Sequence, residues 1–128
     1  MKIYLAGPFK RGPYLSEVAS RLRAREHIIT RAWWDAPEPL QIALELDKLA
    51  IHDCDIIIAF IWPECAGTLY EIGYAAALKK KIVCVHMTEY RSACAFLYTK
   101  NVVNVYAERE MFEVVDRIKL TGGICHNE

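Results

Sequence analysis

No Cys-x-x-Cys pair occurs in the 128 residues, and the five cysteines, at positions 54, 65, 84, 94 and 125, are odd in number. That argues against a disulfide framework and a zinc site, and it fits a reduced interior. His27, His52, His86 and His126 are scattered, so no metal-binding spacing is visible. No apolar run is long enough to span a bilayer. The first apolar run is short and broken by Gly7-Pro8, which does not fit a signal peptide, so a cytoplasmic location is expected. Excess charge is missing too: 16 basic residues balance 16 acidic ones. Nothing in the bulk charge would draw the chain to nucleic acid or to a membrane. A Walker A loop, a G-x-G-x-x-G fingerprint, repeats, linkers and low-complexity segments are all lacking. No Ser/His/Asp order stands out, and Cys65 has no identifiable partner His.

What is present is a high hydrophobic content of 54% in a length suited to one domain, taken as residues 1–128. The most informative stretch is 55–86. Ile56 to Ile61 is an apolar run with the length of a strand buried on both faces. A loop from Trp62 to Gly67 follows. Thr68 then opens a helix that runs through Leu78, with Lys79 to Lys81 closing it, and Ile82 to Val85 is a second buried strand. A strand, helix, strand unit with right-handed crossover makes the two strands parallel.

The flanking segments extend the pattern. Lys2 to Ala6 reads as the first strand, followed by a Gly- and Pro-rich loop from Gly7 to Pro13. Tyr14 to Glu26 has Leu15, Val18, Ala19 and Leu22 at helical spacing, and His27 to Thr30 is a short strand. After the loop 31–39, Asp35 is placed to cap a helix that ends near Asp53. Tyr90 to Lys100 is helical or irregular, Val102 to Tyr106 is a fifth strand, and Glu108 to Leu120 is a last amphipathic helix before a frayed tail. Five strands alternating with helices argue for a doubly wound α/β parallel sheet, with the flavodoxin-like order 2-1-3-4-5. Ligands in such sheets sit beyond the C-terminal strand ends, here where the first and third strands meet. That brings Gly7 to Pro13 beside Trp62 to Glu71.

Several residues could carry chemistry there. Glu71 follows Thr68 by three positions, so it could simply close a capping box. Alternatively it is a carboxylate at a crevice mouth, kept ionised by the helix N-terminus, able to attack an electrophilic carbon or steady an oxocarbenium ion. Asp47 could face solvent or could pair with Glu71, one carboxyl donating a proton while the other attacks. Tyr4 is either core or an orienting group for Glu71. Lys10 and Arg11 are either a solvated turn or a weak phosphate site. Trp33, Trp34 and Trp62 could stack a base, pack a lid or line a subunit interface. Asp53 and Asp55 lie at the wrong end of the sheet and read as structural.

These residues match a known pattern. The opening Ile3-Tyr4-Leu5-Ala6-Gly7-Pro8-Phe9, then Asp47, then Gly67-Thr68-Leu69-Tyr70-Glu71-Ile72-Gly73-Tyr74-Ala75 resemble the nucleoside 2-deoxyribosyltransferase superfamily. That group includes the 2'-deoxynucleoside 5'-monophosphate N-hydrolases. The resemblance implies a flavodoxin-like fold and cleavage of an N-glycosidic bond without metal or organic cofactor. It makes Glu71 the nucleophile, Asp47 the group that protonates or holds the departing base, and Tyr4 the orienting hydroxyl. Gly7, Phe9, Lys10, Arg11, Trp34, Glu64, Cys65 and Gly67 become the substrate-binding set. Asn101 resembles an asparagine lent to a neighbouring subunit, which implies a dimer or larger homo-oligomer. The implied partners are a deoxynucleoside or deoxynucleotide and a nucleobase.

The chain departs from the pattern six residues before Glu71. Many transferases carry an aspartate there, for the sugar 5'-hydroxyl, and the monophosphate hydrolases a serine, for phosphate. Here the position is Cys65, beside Glu64. The acid at Glu64 leans toward free nucleosides, and Lys10 with Arg11 toward a 5'-phosphate. Deoxyribosyl transfer is the leading expectation and monophosphate hydrolysis the alternative. A hydrolase of ribosyl or modified-cytosine monophosphates and a non-catalytic nucleotide sensor on the same fold also remain open.

Overall fold

A computed structural model describes residues 1–35, 38–89 and 95–121. Five parallel strands form one sheet: β1 (Lys2–Ala6), β2 (Ile28–Ile29), β3 (Ile56–Ile61), β4 (Lys81–His86) and β5 (Val102–Val105). Their order is β2-β1-β3-β4-β5, the flavodoxin-like one of the common doubly wound orders. Among the described residues three α-helices connect strands, α1 (Gly12–Ala24), α2 (Leu40–Asp53) and α3 (Ala66–Ala77), and α4 (Glu108–Thr121) follows β5. The fold is the doubly wound, flavodoxin-like α/β domain.

Alternation along the strands builds two cores. Ile3 and Leu5 of β1, Ile56, Ile58 and Phe60 of β3, and Val83 and Val85 of β4 face α1 and α4. Tyr4 and Ala6, Ile57, Ala59 and Ile61, and Ile82 and Cys84 face α2 and α3. A tyrosine in β1 is thereby turned toward the face that also carries Glu71. Lys2 ties down the end of the sheet opposite the C-terminal strand ends: its Nζ pairs with Asp53 at 3.0 Å, and its backbone N–H donates to Asp55 at 2.8 Å. Asp53 and Asp55 are structural, as expected from their end of the strand.

Several local boundaries differ from the sequence reading. The segment 7–13 is not all loop: Phe9–Arg11 form a 3-10 turn, and α1 starts at Gly12 with Pro13 in its first turn. Gly7 is required by packing, because a Cβ there would lie 2.7 Å from Leu15 Cδ1. Asp35 does not cap α2; the N-cap is Pro39, without a side-chain bond, and Glu38 turns to Arg31 instead. β2 shrinks to two residues. Residues 90–94 and the tail from 122 lie outside the described residues, and 95–98 form a 3-10 turn. No helix among the described residues is long and apolar enough to cross a membrane.

Candidate functional site

β1 leads to α1 on one face of the sheet and β3 leads to α3 on the other, so a crevice opens between their C-terminal ends. It is a cleft of about 1200 Å³. Tyr4, Gly7, Phe9 and Lys10 line it from the β1 side, and Glu64, Cys65, Gly67, Thr68, Tyr70 and Glu71 from the β3–α3 side. Arg31, Trp33 and Glu38 come from the segment after β2, and Leu40, Ala43, Leu44 and Asp47 from α2.

At the inner end, the Tyr4 hydroxyl donates a short hydrogen bond to Glu71 Oε2. Tyr4 is fully buried in β1, so its ring cannot swing away without opening the core. Arg31 closes the other side. Its Nε donates to Asp47 Oδ1 at 2.7 Å and its Nη2 to Glu38 Oε2 at 2.8 Å. The result is one network with a tyrosine, an arginine and three carboxyl groups.

Burial dominates the electrostatics. Desolvation lifts the Glu71 carboxyl to about 8, helped by Asp47 and opposed by the Tyr4 hydrogen bond and by Arg31. Asp47 is raised too: burial outweighs the bond and charge of Arg31. Tyr4 gives its one hydroxyl proton to Glu71, and desolvation, with the charges of Glu71 and Asp47 beside it, pushes its own pKa far up. Tyr4 acts only as a neutral donor.

Two expectations for Glu71 need correction. The helix begins at Ala66, not Thr68, so Glu71 lies beyond its first turn, where the dipole's pull has faded. Burial then decides, and the free site holds the proton instead of the ionised carboxylate. The capping box is absent as well: Glu71 turns inward to Tyr4, and the Thr68 hydroxyl has no hydrogen-bond partner among the described residues.

At the outer end, Glu64 Oε1 bonds Lys10 Nζ at 2.9 Å and stands 3.6 Å from Arg11 Nη2. Lys10 chiefly holds Glu64 below the usual carboxylate range. Arg11 stacks on Trp62, 4.7 Å from the ring centre.

Of the residues expected at the site, Tyr4, Gly7, Phe9, Lys10, Asp47, Glu64, Cys65, Gly67 and Glu71 line the one cleft. Arg11 joins through Glu64. Trp34 is not among the lining residues and packs its Cβ 3.0 Å from where a Gly12 Cβ would be. Trp62 is buried against Tyr14 and takes no part in the cleft wall. Trp33 does line it, anchored by an indole N–H bond to the Leu5 carbonyl at 2.9 Å. Asn101 is exposed in the turn before β5, at the opposite edge of the sheet from its own chain's cleft. Arg31 was missed; its one legible signal was an arginine directly after β2, at the ligand end of the sheet. Cys65 is buried at the N-cap of α3, and burial pushes the Cys54 and Cys84 thiols up to about 11 and about 12.

The family model described as nucleoside 2-deoxyribosyltransferase matches residues 3–105, a span that contains every residue of the cleft. The chain belongs to that family. Among solved structures, a CMP N-glycosidase from Clostridium botulinum is similar at 27% identity, with a TM-score of 0.66 over 91% of this chain and 99% of that one. A 2-deoxyribosyltransferase from the psychrotolerant bacterium Bacillus psychrosaccharolyticus shares the fold, with a TM-score of 0.70 at 21% identity, over 87% of this chain and 90% of that one. No curated protein sequence matches closely enough to add to these. The family and the Clostridium botulinum neighbour are enzymes, a deoxyribosyltransferase family and an N-glycosidase, and this family member is an enzyme.

Proposed function

We propose that the protein cleaves the N-glycosidic bond of 2'-deoxyribonucleosides and transfers the deoxyribosyl group to a second nucleobase through a covalent ester on Glu71. The observation that carries this reading is the Tyr4–Glu71 hydrogen bond beside the Asp47–Arg31 pair, at the inner end of a cleft walled by Phe9, Trp33, Leu44 and Tyr70. A Glu71 oxygen attacks the anomeric carbon as the carbon–nitrogen bond breaks, and the bonding pair leaves on the base. Asp47, whose raised pKa suits an acid, delivers the proton the base needs. Tyr4 orients Glu71 and steadies its ionised form. A second base then gives its N–H proton to the Asp47 carboxylate and attacks from the side the first one left, which breaks the ester and regenerates both Glu71 and the Asp47 acid with retention overall.

Glu71 and Asp47 interact, so they titrate as a pair. Attack requires the proton on Asp47 and the charge on Glu71, so the pair's proton passes from Glu71 to Asp47 as substrate binds. The neutral Glu71 of the free site spares the fold a buried, unpaired charge until substrate arrives.

A second reading is hydrolysis of a nucleoside 5'-monophosphate, with water as the acceptor. Lys10 and Arg11 at the cleft mouth favour it, as does the 27% likeness to the CMP N-glycosidase across nearly all of that chain. Its sugar could be ribose or deoxyribose.

Chromatography of the reaction products separates these. Purified protein is given deoxyinosine or deoxyadenosine with and without cytosine, and in parallel nucleoside monophosphates of both sugars. Deoxycytidine that appears only with added cytosine supports transfer. Free base released only from monophosphates supports the second reading. Failure on every substrate, with a Glu71→Ala variant binding them equally well, would leave a nucleotide-binding module.

A further inference from the structure

Arg31 brings a cation to the inner end of the cleft, and it is held there from two sides. Its backbone is pinned next door, where the Thr30 N–H donates to the Ile3 carbonyl at 2.9 Å. Its guanidinium is gripped by Glu38: Nη2 donates to Oε2 at 2.8 Å and Nη1 to Oε1 at 3.4 Å. A forked pair of this kind fixes the plane of the guanidinium. The remaining donor, Nε, is thereby aimed at Asp47 Oδ1, 2.7 Å away.

That bond meets one carboxyl oxygen. A proton on Oδ2 leaves it in place, so Arg31 contacts Asp47 in both protonation states. The two contacts are unequal. An arginine N–H bonds a carboxylate more strongly than a neutral carboxyl, because only the first pairs opposite charges. When the base departs with the bonding pair, the Asp47 O–H gives its proton to a base nitrogen and becomes a carboxylate. The Arg31 bond strengthens along that step. A contact that is stronger after the proton has moved than before it speeds the step instead of merely holding the ground state.

Glu38 works against it. Arg31 lowers the Asp47 carboxyl, and the charge of Glu38 behind the same guanidinium raises it. The other ionisable groups facing Asp47 are Tyr4 from β1 and Glu71 from α3, which are bonded to each other. On α2 itself, Lys48 is paired with Glu45.

We propose that Arg31 and Glu38 are positioning residues that set the strength of Asp47 as an acid. Arg31 stabilises the carboxylate left behind when the departing base takes its proton, and Glu38 aims Arg31 and limits its pull. The inference rests on glycosidic cleavage at Glu71 with Asp47 as the proton donor. It is independent of which acceptor, base or water, takes the sugar.

The test compares two substrates that differ in whether the departing base needs a proton. Deoxyinosine needs one. In 7-methyl-2'-deoxyinosine the base is already a cation, and it leaves as neutral 7-methylhypoxanthine when the bonding pair moves onto N9. Both are offered as nucleosides and as 5'-monophosphates. Arg31→Gln in the full chain should lower kcat/KM about tenfold more for the parent than for the methylated substrate. Equal losses on the two would mark a distorted cleft and overturn the proposal. In the same variant the alkaline limb of kcat on the parent should move up by about half a unit or more, and in Glu38→Gln it should move down. Carboxyl carbon-13 NMR titration of Asp47, assigned with Asp47→Asn, reads the same two shifts without turnover. Opposite shifts in a protein that cleaves no nucleoside or nucleotide support the control of Asp47 while counting against cleavage at Glu71. Unmoved midpoints, or shifts in the same direction, overturn the proposal.

Discussion

The cleft holds two clusters built from the same ingredients, acids facing cations, and they behave in opposite ways. The inner one sets Asp47 and Glu38 against Arg31, whose side chain is 13% exposed. The outer one sets Glu64 against Lys10 and Arg11, with Lys10 65% exposed. Burial raises Asp47 and Glu71 at the inner end, whereas at the outer end the bond from Lys10, with little burial against it, holds Glu64 low. The lesson is that depth, not composition, decides whether a charged cluster can move protons. The shallow cluster can only attract or repel.

The largest effect is expected at Glu71. Glu71→Gln should lower turnover by about a thousandfold or more, measured by single-turnover release of base, with the circular dichroism unchanged. It should also change how stability depends on pH. Folding raises the Glu71 carboxyl to about 8, so its contribution is full below the unfolded pKa and is lost as pH rises through about 8. Thermal melts of the variant should be flatter across that window and should exceed the wild type near its alkaline end. A wild type that outlasts the variant there would count against a buried, protonated Glu71.

Tyr4→Phe comes next. It removes the bond that opposes burial at Glu71, so the ascending limb of kcat/KM, expected near pH 8, should move about one unit more alkaline. A pH–rate profile that stays in place would separate Tyr4 from the ionisation of Glu71. Asp47→Asn should slow base departure by about 10²-fold and weaken binding less; a raised KM at constant kcat would contradict its role. Gly7→Ala, between the two clusters, should cost about 1–3 kcal/mol by pushing on the buried Leu15, read from denaturant melts. The smallest effect is expected at the rim: Lys10→Gln should leave the melting temperature nearly unchanged, because exposed ion pairs stabilise little.

Much of this arrangement was legible in the chain, for reasons that can be named. Ile56 to Ile61 is apolar throughout because β3 is covered on both faces, and that run located the centre of the sheet. Alternation gave the doubly wound class but not the strand order, which matches the flavodoxin-like choice; the crevice follows from that order. Tyr4, Asp47 and Glu71 could be picked because each belongs to a recognisable string. Arg31 could not, since its role exists only through contacts with Asp47 and Glu38 that folding creates. The start of α3 was misread because Thr68 and Glu71 have capping-box spacing, which says nothing about which way Glu71 turns. The protonated state of Glu71 was illegible for the same reason: desolvation is a property of the assembled cleft.

One feature of the sheet governs how the chain must come together. β1 lies between β2 and β3, and its long side pairs with residues 56–59. During synthesis residues 7–55 separate β1 from β3, and within them only the two-residue β2 pairs with β1. Until β3 arrives, Ile3, Tyr4 and Leu5 have an open edge, the kind of surface that invites wrong pairing. The strand that carries Tyr4 is therefore completed only by the strand that leads to Glu71.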